Sequence, residues 1–312
     1  MFFQERIKLK NLGSFKIGGE AKFFKEARDT DDLIESVAEA NLRSLPFFIL
    51  GGGTNILWSD KGFDGLILKP SIKNLTIEGE EIKAGAGVLM SELIDFAVLH
   101  GLSGLEWAGG LPGTFGGAIR GNAGAFGGEI KDVIKEVVSL NTSTLNTIKR
   151  SDAECVFGYR TSIFKEGVKE IIVEAKLKLS RGNVNAIKSA VQDKINYRHE
   201  RYPMEYPNVG SIFKNVAISK FPKLDLERFT NVIKQDPFPV IPTAFLISEA
   251  GLKGVSYGGA MISPKHPNFI VNVLGATSKD VKNLIELVKD EVLDKFGVGL
   301  EEEIQILSEN PS

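Results

Sequence analysis

Apolar and polar positions along this chain follow two rhythms, one near 3.6 residues and one of 2, and together they predict a mixture of helices and strands. Leu33, Ile34, Val37 and Ala38 share one face of a helix for which Thr30 is the expected cap. The apolar run PFFIL at 46–50 ends at Gly51 and predicts a buried strand; GLIL at 65–68 predicts another. Strand patterns follow at 74–83, 133–140 and 171–179. In the last, Ile171, Val173, Ala175, Leu177 and Leu179 alternate with Glu174, Lys176 and Lys178, and Ile172 breaks the alternation. A helix is expected at 91–100, closed by Gly101, and a long polar one at 183–200. Pro203 and Pro207 then mark a boundary. Beyond it lie a short helix at 243–250 ending at Gly251 and a longer one starting at Thr277 and Ser278. The longer helix carries Val281, Leu284, Ile285, Val288, Val292 and Phe296, with Gly297 as its stop, and a final strand is expected at 303–307.

The pattern reads as α/β in the first unit and divides the chain into four stretches: 1–70, 71–204, 205–297 and a closing segment at 298–312. A length of 312 residues supports more than one core. Hydrophobic residues make up 43% and charged residues 25%, an ordinary globular balance. The net charge of −2 points to neither nucleic acid nor an anionic membrane as partner. No run approaches the ~18 apolar residues of a membrane span, and MFFQERIKLKN does not read as a secretory signal. Cys155 is the single cysteine, so an intrachain disulfide is excluded and a reducing, cytoplasmic setting is expected. His100, His199 and His266 are far apart, and no metal site is predicted.

Glycine changes the picture most, because it is concentrated. GGGTN at 51–55 follows an apolar strand, and its residues Gly51, Gly52, Gly53, Thr54 and Asn55 offer converging N–H and side-chain donors of the kind a diphosphate needs. A tight strand–loop turn explains that pentapeptide equally well. The second segment, AGGLPGTFGGAIRGNAGAFGGE at 108–129, holds nine glycines in 22 residues, interleaved with Phe115 and Phe126. A flexible linker would not carry such apolar residues, and a folded ligand cradle fits better than a turn-rich spacer. Its candidate contacts are Gly110, Pro112, Gly113, Thr114, Gly116, Gly117, Ala118, Asn122 and Gly124. There is no G-x-x-x-x-G-K-[ST] loop, and GAGVLM at 85–90 matches a dinucleotide fingerprint only in part.

GGGTN followed by GLPGTFGGAIRGNAGAFGGE resembles the FAD-binding domain of vanillyl-alcohol-oxidase-type flavoproteins, and more narrowly the UDP-N-acetylenolpyruvoylglucosamine reductase family. The resemblance extends over NLGSFKIGG at 11–19, FGYRTSIF, NVGSIFKN, EAGLKG, SPKHPNFIVN and LEEEI, in order. It implies FAD-binding subdomains at 1–70 and 71–204, a substrate-binding α+β domain at 205–297, and a tail returning to the flavin. It further implies non-covalent FAD, NADPH as hydride donor in a ping-pong sequence, UDP-N-acetylenolpyruvoylglucosamine as substrate, and a monomer. The glycine loop lacks a His or Cys for covalent flavin attachment. The direct run from NVGSIFKN to EAGLKG matches the family's shorter-loop form, in which Tyr206 and Tyr257 are the tyrosines to watch.

The resemblance makes Arg160, Ser211 and Glu303 the catalytic set, and Tyr159, Lys214, Asn215, Lys253, His266 and Asn268 the substrate contacts. Their chemistry suits reduction of an enolpyruvyl ether. Arginine stabilises an enolate-like dianion, glutamate donates a hydrogen bond to it, and serine delivers the proton. By residue type alone each has a plainer reading: Arg160 as a surface ion-pair residue, Ser211 as a turn serine after Gly210, Glu303 as one of three solvated glutamates, and His266 and Asn268 as a polar turn between prolines. Arg120 contacts either cofactor phosphates or solvent. Two other functions compete, a flavin oxidase of the wider superfamily and a non-enzymatic flavin or nucleotide-sugar sensor.

Overall fold

The computed structural model describes residues 2–221, 229–236 and 238–307 and divides into two compact, discontinuous units. The first comprises residues 1–7, 21–52 and 64–198; the second comprises 8–20, 53–63 and 199–312. Residues 8–20 and 53–63, inside the expected first stretch, therefore belong to the second unit. The architecture is α+β, as the family resemblance implies.

The first unit has two cores separated by a five-stranded antiparallel sheet in the order Thr147–Ser151, Ile134–Asn141, Glu170–Lys178, Glu81–Gly85, Leu75–Glu78. One core packs Leu33, Val37 and Ala40 of the helix Thr30–Leu42 with Leu66, Leu68, Leu140, Ile171 and Val173. The other gathers Ile82, Leu93, Trp107, Phe115, Ile119, Val137, Ile172, Ala175 and Leu177. The break at Ile172 has a cause here. Val138 pairs with Glu174 but Ser139 pairs with Ile172, so Val173 is an extra residue on its strand. That bulge turns the strand over, sending Ile171 and Val173 to one core and Ile172, Ala175 and Leu177 to the other.

Two expectations need correction. The cap of the first helix is Asp29, whose carboxylate accepts from the Asp32 N–H at 2.8 Å; Thr30 is the first helical residue, and Ala40 rather than Ala38 is buried. The stretch 74–83 is a hairpin, Leu75–Glu78 against Glu81–Gly85, turning at Gly79 with φ 62°.

The second unit packs one face of the helix Ser278–Phe296 (Val281, Leu284, Ile285, Val288, Val292) with Ile212, Phe213, Leu246, Ile262 and Ile270. The capping box between Thr277 and Asp280 starts this helix, and left-handed Gly297 ends it. A three-stranded antiparallel sheet holds Ser256–Tyr257, Ala260–Ile262 and Ile270–Asn272. The closing strand is shorter than predicted, Gln305–Ile306, and lies parallel to Ile56–Leu57. Residues 222–228 and 237, part of the spacer between NVGSIFKN and EAGLKG, lie outside the described residues, as do 308–312 of the closing segment.

Candidate active site

In the first unit the two glycine segments meet. A Cβ built on Gly52 would lie 2.6 Å from the Gly113 Cα, and one on Gly51 would lie 2.8 Å from the Thr114 Oγ1. Only glycine permits this approach of two backbones. Residues 86–90 pin the second segment: Met90 N–H donates to the Gly113 carbonyl at 3.1 Å, Phe115 N–H to Val88 at 2.8 Å and Gly116 N–H to Ala86 at 2.9 Å. Thr114 caps the short helix Phe115–Arg120, accepting from the Gly117 N–H. The backbone N–H groups of Gly51, Gly52, Gly113 and Thr114 donate to no protein acceptor among the described residues. Converging unused N–H groups in a cradle without side chains fit the diphosphate of FAD.

Asn122 is fully buried, and its amide works inside the protein: Nδ2 donates to the Gly158 carbonyl at 2.9 Å, and Oδ1 accepts from Lys131 N–H at 3.2 Å. It thereby fixes the two-residue turn Tyr159–Arg160, closed by paired backbone bonds between Gly158 and Thr161. Arg160 sits at φ 58°, in the left-handed region. A non-glycine residue held there carries local backbone strain. Its Nη2 donates to the Gly124 carbonyl at 2.9 Å, and its guanidinium lies 5.2 Å from the Tyr159 ring. Arg120 is not simply solvated: desolvation pulls its guanidinium below its ordinary pKa, opposed by the charge of Glu166.

In the second unit the residues expected at the chemistry lie on one strand pair. Glu303 N–H donates to the Ile212 carbonyl at 2.8 Å, Lys214 N–H donates to Glu301 at 2.9 Å, and Phe213 bridges Glu302. Ser211 enters this pair from left-handed Gly210, whose N–H donates to Asn208 Oδ1 at 3.0 Å. Asn268 clamps Phe213, two residues on: its Nδ2 donates to the Phe213 carbonyl at 2.8 Å, and its Oδ1 accepts from Phe213 N–H at 3.1 Å. Asn55 Nδ2 donates to the Glu303 carbonyl at 3.2 Å, so the last residue of GGGTN anchors the closing segment.

The remaining expected contacts scatter. Lys214 Nζ pairs with Glu301 at 3.4 Å. Asn215 Oδ1 accepts from Thr243 N–H at the start of the helix Thr243–Glu249. Lys253 is exposed, as are Tyr206 and Tyr257. His266 packs edge-on against Tyr202 and Phe269, and burial pushes its imidazole down to about 4, so it is neutral near pH 7. Sequence reasoning assigned no role to Ser14. Its Oγ donates to the Asn208 carbonyl at 2.6 Å and its N–H to the Gly53 carbonyl at 2.9 Å, tying the glycine loop to the Ser211 segment. The signal was NLGSFKIGG, a glycine-flanked motif without ligand-binding spacing of its own.

A family model described as UDP-N-acetylenolpyruvoylglucosamine reductase, C-terminal domain, matches residues 202–307, and an FAD binding domain model matches 21–144. The chain is 41% identical over 303 residues to the UDP-N-acetylenolpyruvoylglucosamine reductase of Caldanaerobacter subterraneus subsp. tengcongensis, covering 96% of this chain and 92% of that one. It is 40% identical over 299 residues to the enzyme so named in Carboxydothermus hydrogenoformans, covering 95% and 91%. The crystal structure of UDP-N-acetylenolpyruvylglucosamine reductase from Thermus caldophilus matches with a TM-score of 0.78 at 28% identity, over 98% of this chain and 100% of that one. An FAD-dependent oxidoreductase of α+β fold, the chain belongs to the UDP-N-acetylenolpyruvoylglucosamine reductase family.

Proposed function

We propose that this protein reduces the enolpyruvyl ether of UDP-N-acetylenolpyruvoylglucosamine to the lactyl ether of UDP-N-acetylmuramate, with FAD bound non-covalently and NADPH as reductant. The observation that carries the reading is the strand pair joining the Ser211 segment to Glu303, with Asn268 fixing its register. Gly51, Gly52, Gly113 and Thr114 would hold the FAD diphosphate through backbone N–H groups. When bound, FAD would supply the hydride chemistry between NADPH and the vinyl carbon of the substrate farther from the carboxylate.

The protein's own groups do the rest. Hydride addition leaves an enolate-like dianion at the carboxyl end of the substrate. Arg160 faces that charge with fixed N–H donors. Glu303 shares a hydrogen bond with the same carboxyl group. The Ser211 hydroxyl gives its proton to the carbon bearing the carboxylate. A serine is a weak acid, but the enolate carbon is a strong base. Lys214 and Lys253 supply cationic donors for the UDP diphosphate and neutral His266 a polar edge, while Asn215 and Asn268 hold the framework around them. The product class places the activity in the supply of peptidoglycan precursors, and the proposal includes a cytoplasmic monomer.

Ser211→Ala tests the assignment. The variant is expected to keep FAD and its reduction by NADPH at wild-type rate, and to slow reoxidation by substrate at least about 100-fold, the range for removing one group that acts in the transition state. Unchanged reoxidation would remove Ser211 from the mechanism.

A further inference from the structure

The motif NLGSFKIGG at 11–19 supplies no group to the reaction described above, yet its contacts lead to Ser211. The residue before Ser211 is Gly210, at φ 82°, and a Cβ built on it would meet open space, so no side-chain packing holds this peptide. The Asn208 amide holds it instead, its Oδ1 accepting from Gly210 N–H at 3.0 Å. The same amide donates through Nδ2 to the Tyr206 carbonyl at 2.9 Å and to the Pro203 carbonyl at 3.2 Å, so Asn208 organises the whole approach to the serine. The Asn208 backbone is held in turn from the motif: Ser14 Oγ donates to the Asn208 carbonyl at 2.6 Å. That hydroxyl also lies 3.4 Å from the Gly53 carbonyl, but its one proton favours the nearer acceptor. The Ser14 N–H donates to the Gly53 carbonyl at 2.9 Å and so fixes Ser14 itself. A second tie runs alongside. Asn272 is buried; its N–H donates to the Pro207 carbonyl at 3.0 Å and its Nδ2 to the Phe15 carbonyl at 3.0 Å. Residues 14–15 and 207–208 are thus bound together twice, all within the second unit.

We propose that Ser14 is a positioning residue for Ser211, acting through Asn208, an inference that rests on the assignment of Ser211 as proton donor. Val209 and Ile212, on either side, are buried in the core of the second unit and anchor the segment. Between them the direction of the serine hydroxyl depends on the peptide planes at Gly210, and those planes are set by the Asn208 amide. Without the Ser14 hydroxyl the Asn208 carbonyl loses its donor, and the Asn208 side chain shifts with its backbone. The Gly210 peptide then pivots, and the Ser211 hydroxyl spends part of its time turned from the enolate carbon. Proton delivery needs the reacting atoms in near-contact geometry, so a small displacement slows it. Hydride transfer into the flavin needs neither hydroxyl, so the effect falls on one half-reaction. This gives the motif NLGSFKIGG a purpose that its own spacing does not announce: it sets the serine from almost 200 residues away, Ser14 and Asn208 being 194 positions apart.

The test is a double-mutant cycle on the FAD-loaded enzyme, with the NADPH and substrate half-reactions timed separately. Ser211→Ala is expected to slow reoxidation at least about 100-fold. Ser14→Ala is expected to slow it about 10-fold, as a misplaced catalytic group does, with flavin reduction, FAD affinity and substrate KM within about twofold of wild type. Ser14→Thr, which keeps the hydroxyl, is expected to restore reoxidation to within about twofold of wild type. In the Ser211→Ala background Ser14→Ala is expected to add no further slowing. Equal slowing in both backgrounds, unchanged reoxidation in Ser14→Ala, or weakened FAD binding as its main effect would overturn the inference while leaving the Ser211 assignment standing. Unimpaired reoxidation in Ser211→Ala would overturn that assignment and the inference with it. If Ser14→Ala does not fold, Ser14→Cys, which fills the same place with a much weaker donor, replaces it in the same cycle, and the same non-additivity is required.

Discussion

Asn268→Ala removes the clamp on the segment that follows Ser211. In the strand pair with residues 301–303, Phe213 faces Glu302 at a position where its own N–H and C=O point away from the partner strand. Both groups are bonded instead to the Asn268 amide, at 3.1 and 2.8 Å, in a place where Asn268 is 3% and Phe213 1% exposed. The variant leaves one buried donor and one buried acceptor without partners, at about 1–3 kcal/mol each. The total, about 2–5 kcal/mol after a water has been admitted, is a large part of the stability of an ordinary domain. With a urea slope of about 1–3 kcal/mol/M the unfolding midpoint of the second unit should fall by about 1–2 M. Asn268→Asp should not rescue it, because a carboxylate can accept from Phe213 N–H but cannot donate to the Phe213 carbonyl. Urea unfolding followed by circular dichroism reads the effect, and steady-state kinetics below the transition should show reduced kcat as the Ser211 segment loosens. An unchanged midpoint with a raised KM would refute the clamp and make Asn268 a direct substrate contact.

Three further outcomes follow from the same structure. Gly52→Ala should weaken FAD binding at least about tenfold, read by flavin absorbance on reconstitution, because its methyl group drives the two glycine segments apart. Gly297→Ala meets open space but must hold φ 67°, so it should cost about 1 kcal/mol of stability with turnover unchanged. For His266 the folded imidazole stays neutral down to about pH 4, whereas the unfolded one takes a proton near its ordinary value of 6.5. The unfolded state therefore binds more protons as pH falls through that window, and His266 lowers stability between about pH 6.5 and 4 while having no such effect above it. His266→Gln should lose this part of the slope in a urea series from pH 7 to pH 4, and an identical slope in wild type and variant would contradict the burial argument.

Long-range amphipathic pattern made much of the fold legible. The helix Ser278–Phe296 carries its apolar face, cap and stop in consecutive residues, so the sequence alone locates it to within a residue. Features set by two backbones were not legible. The hairpin Leu75–Glu78 with Glu81–Gly85 reads as one strand because its turn holds a single glycine among glutamates. The bulge at Val173 shows only as a break in alternation, since one extra residue has no chemical signature. For the site, the glycine segments announce a cradle, but the approach of Gly52 to Gly113 joins positions far apart in sequence. Polar type misleads most where a side chain serves the backbone: Asn122 and Asn268 look like ligand donors, yet their amides bond Gly158, Lys131 and Phe213. The expectation that Ser211 and Glu303 act together came only from resemblance, because nothing local in GSIF or LEEEI foretells the backbone bonds between their segments.

In the proposed reaction, electrons stored on this protein's flavin end on an enolpyruvyl ether. Anaerobic titration measures it directly: the purified protein is reduced with NADPH and UDP-N-acetylenolpyruvoylglucosamine is then added. The flavin spectrum is expected to bleach with NADPH and to return with one equivalent of substrate, yielding UDP-N-acetylmuramate. A flavin that bleaches but stays reduced in excess substrate would contradict it.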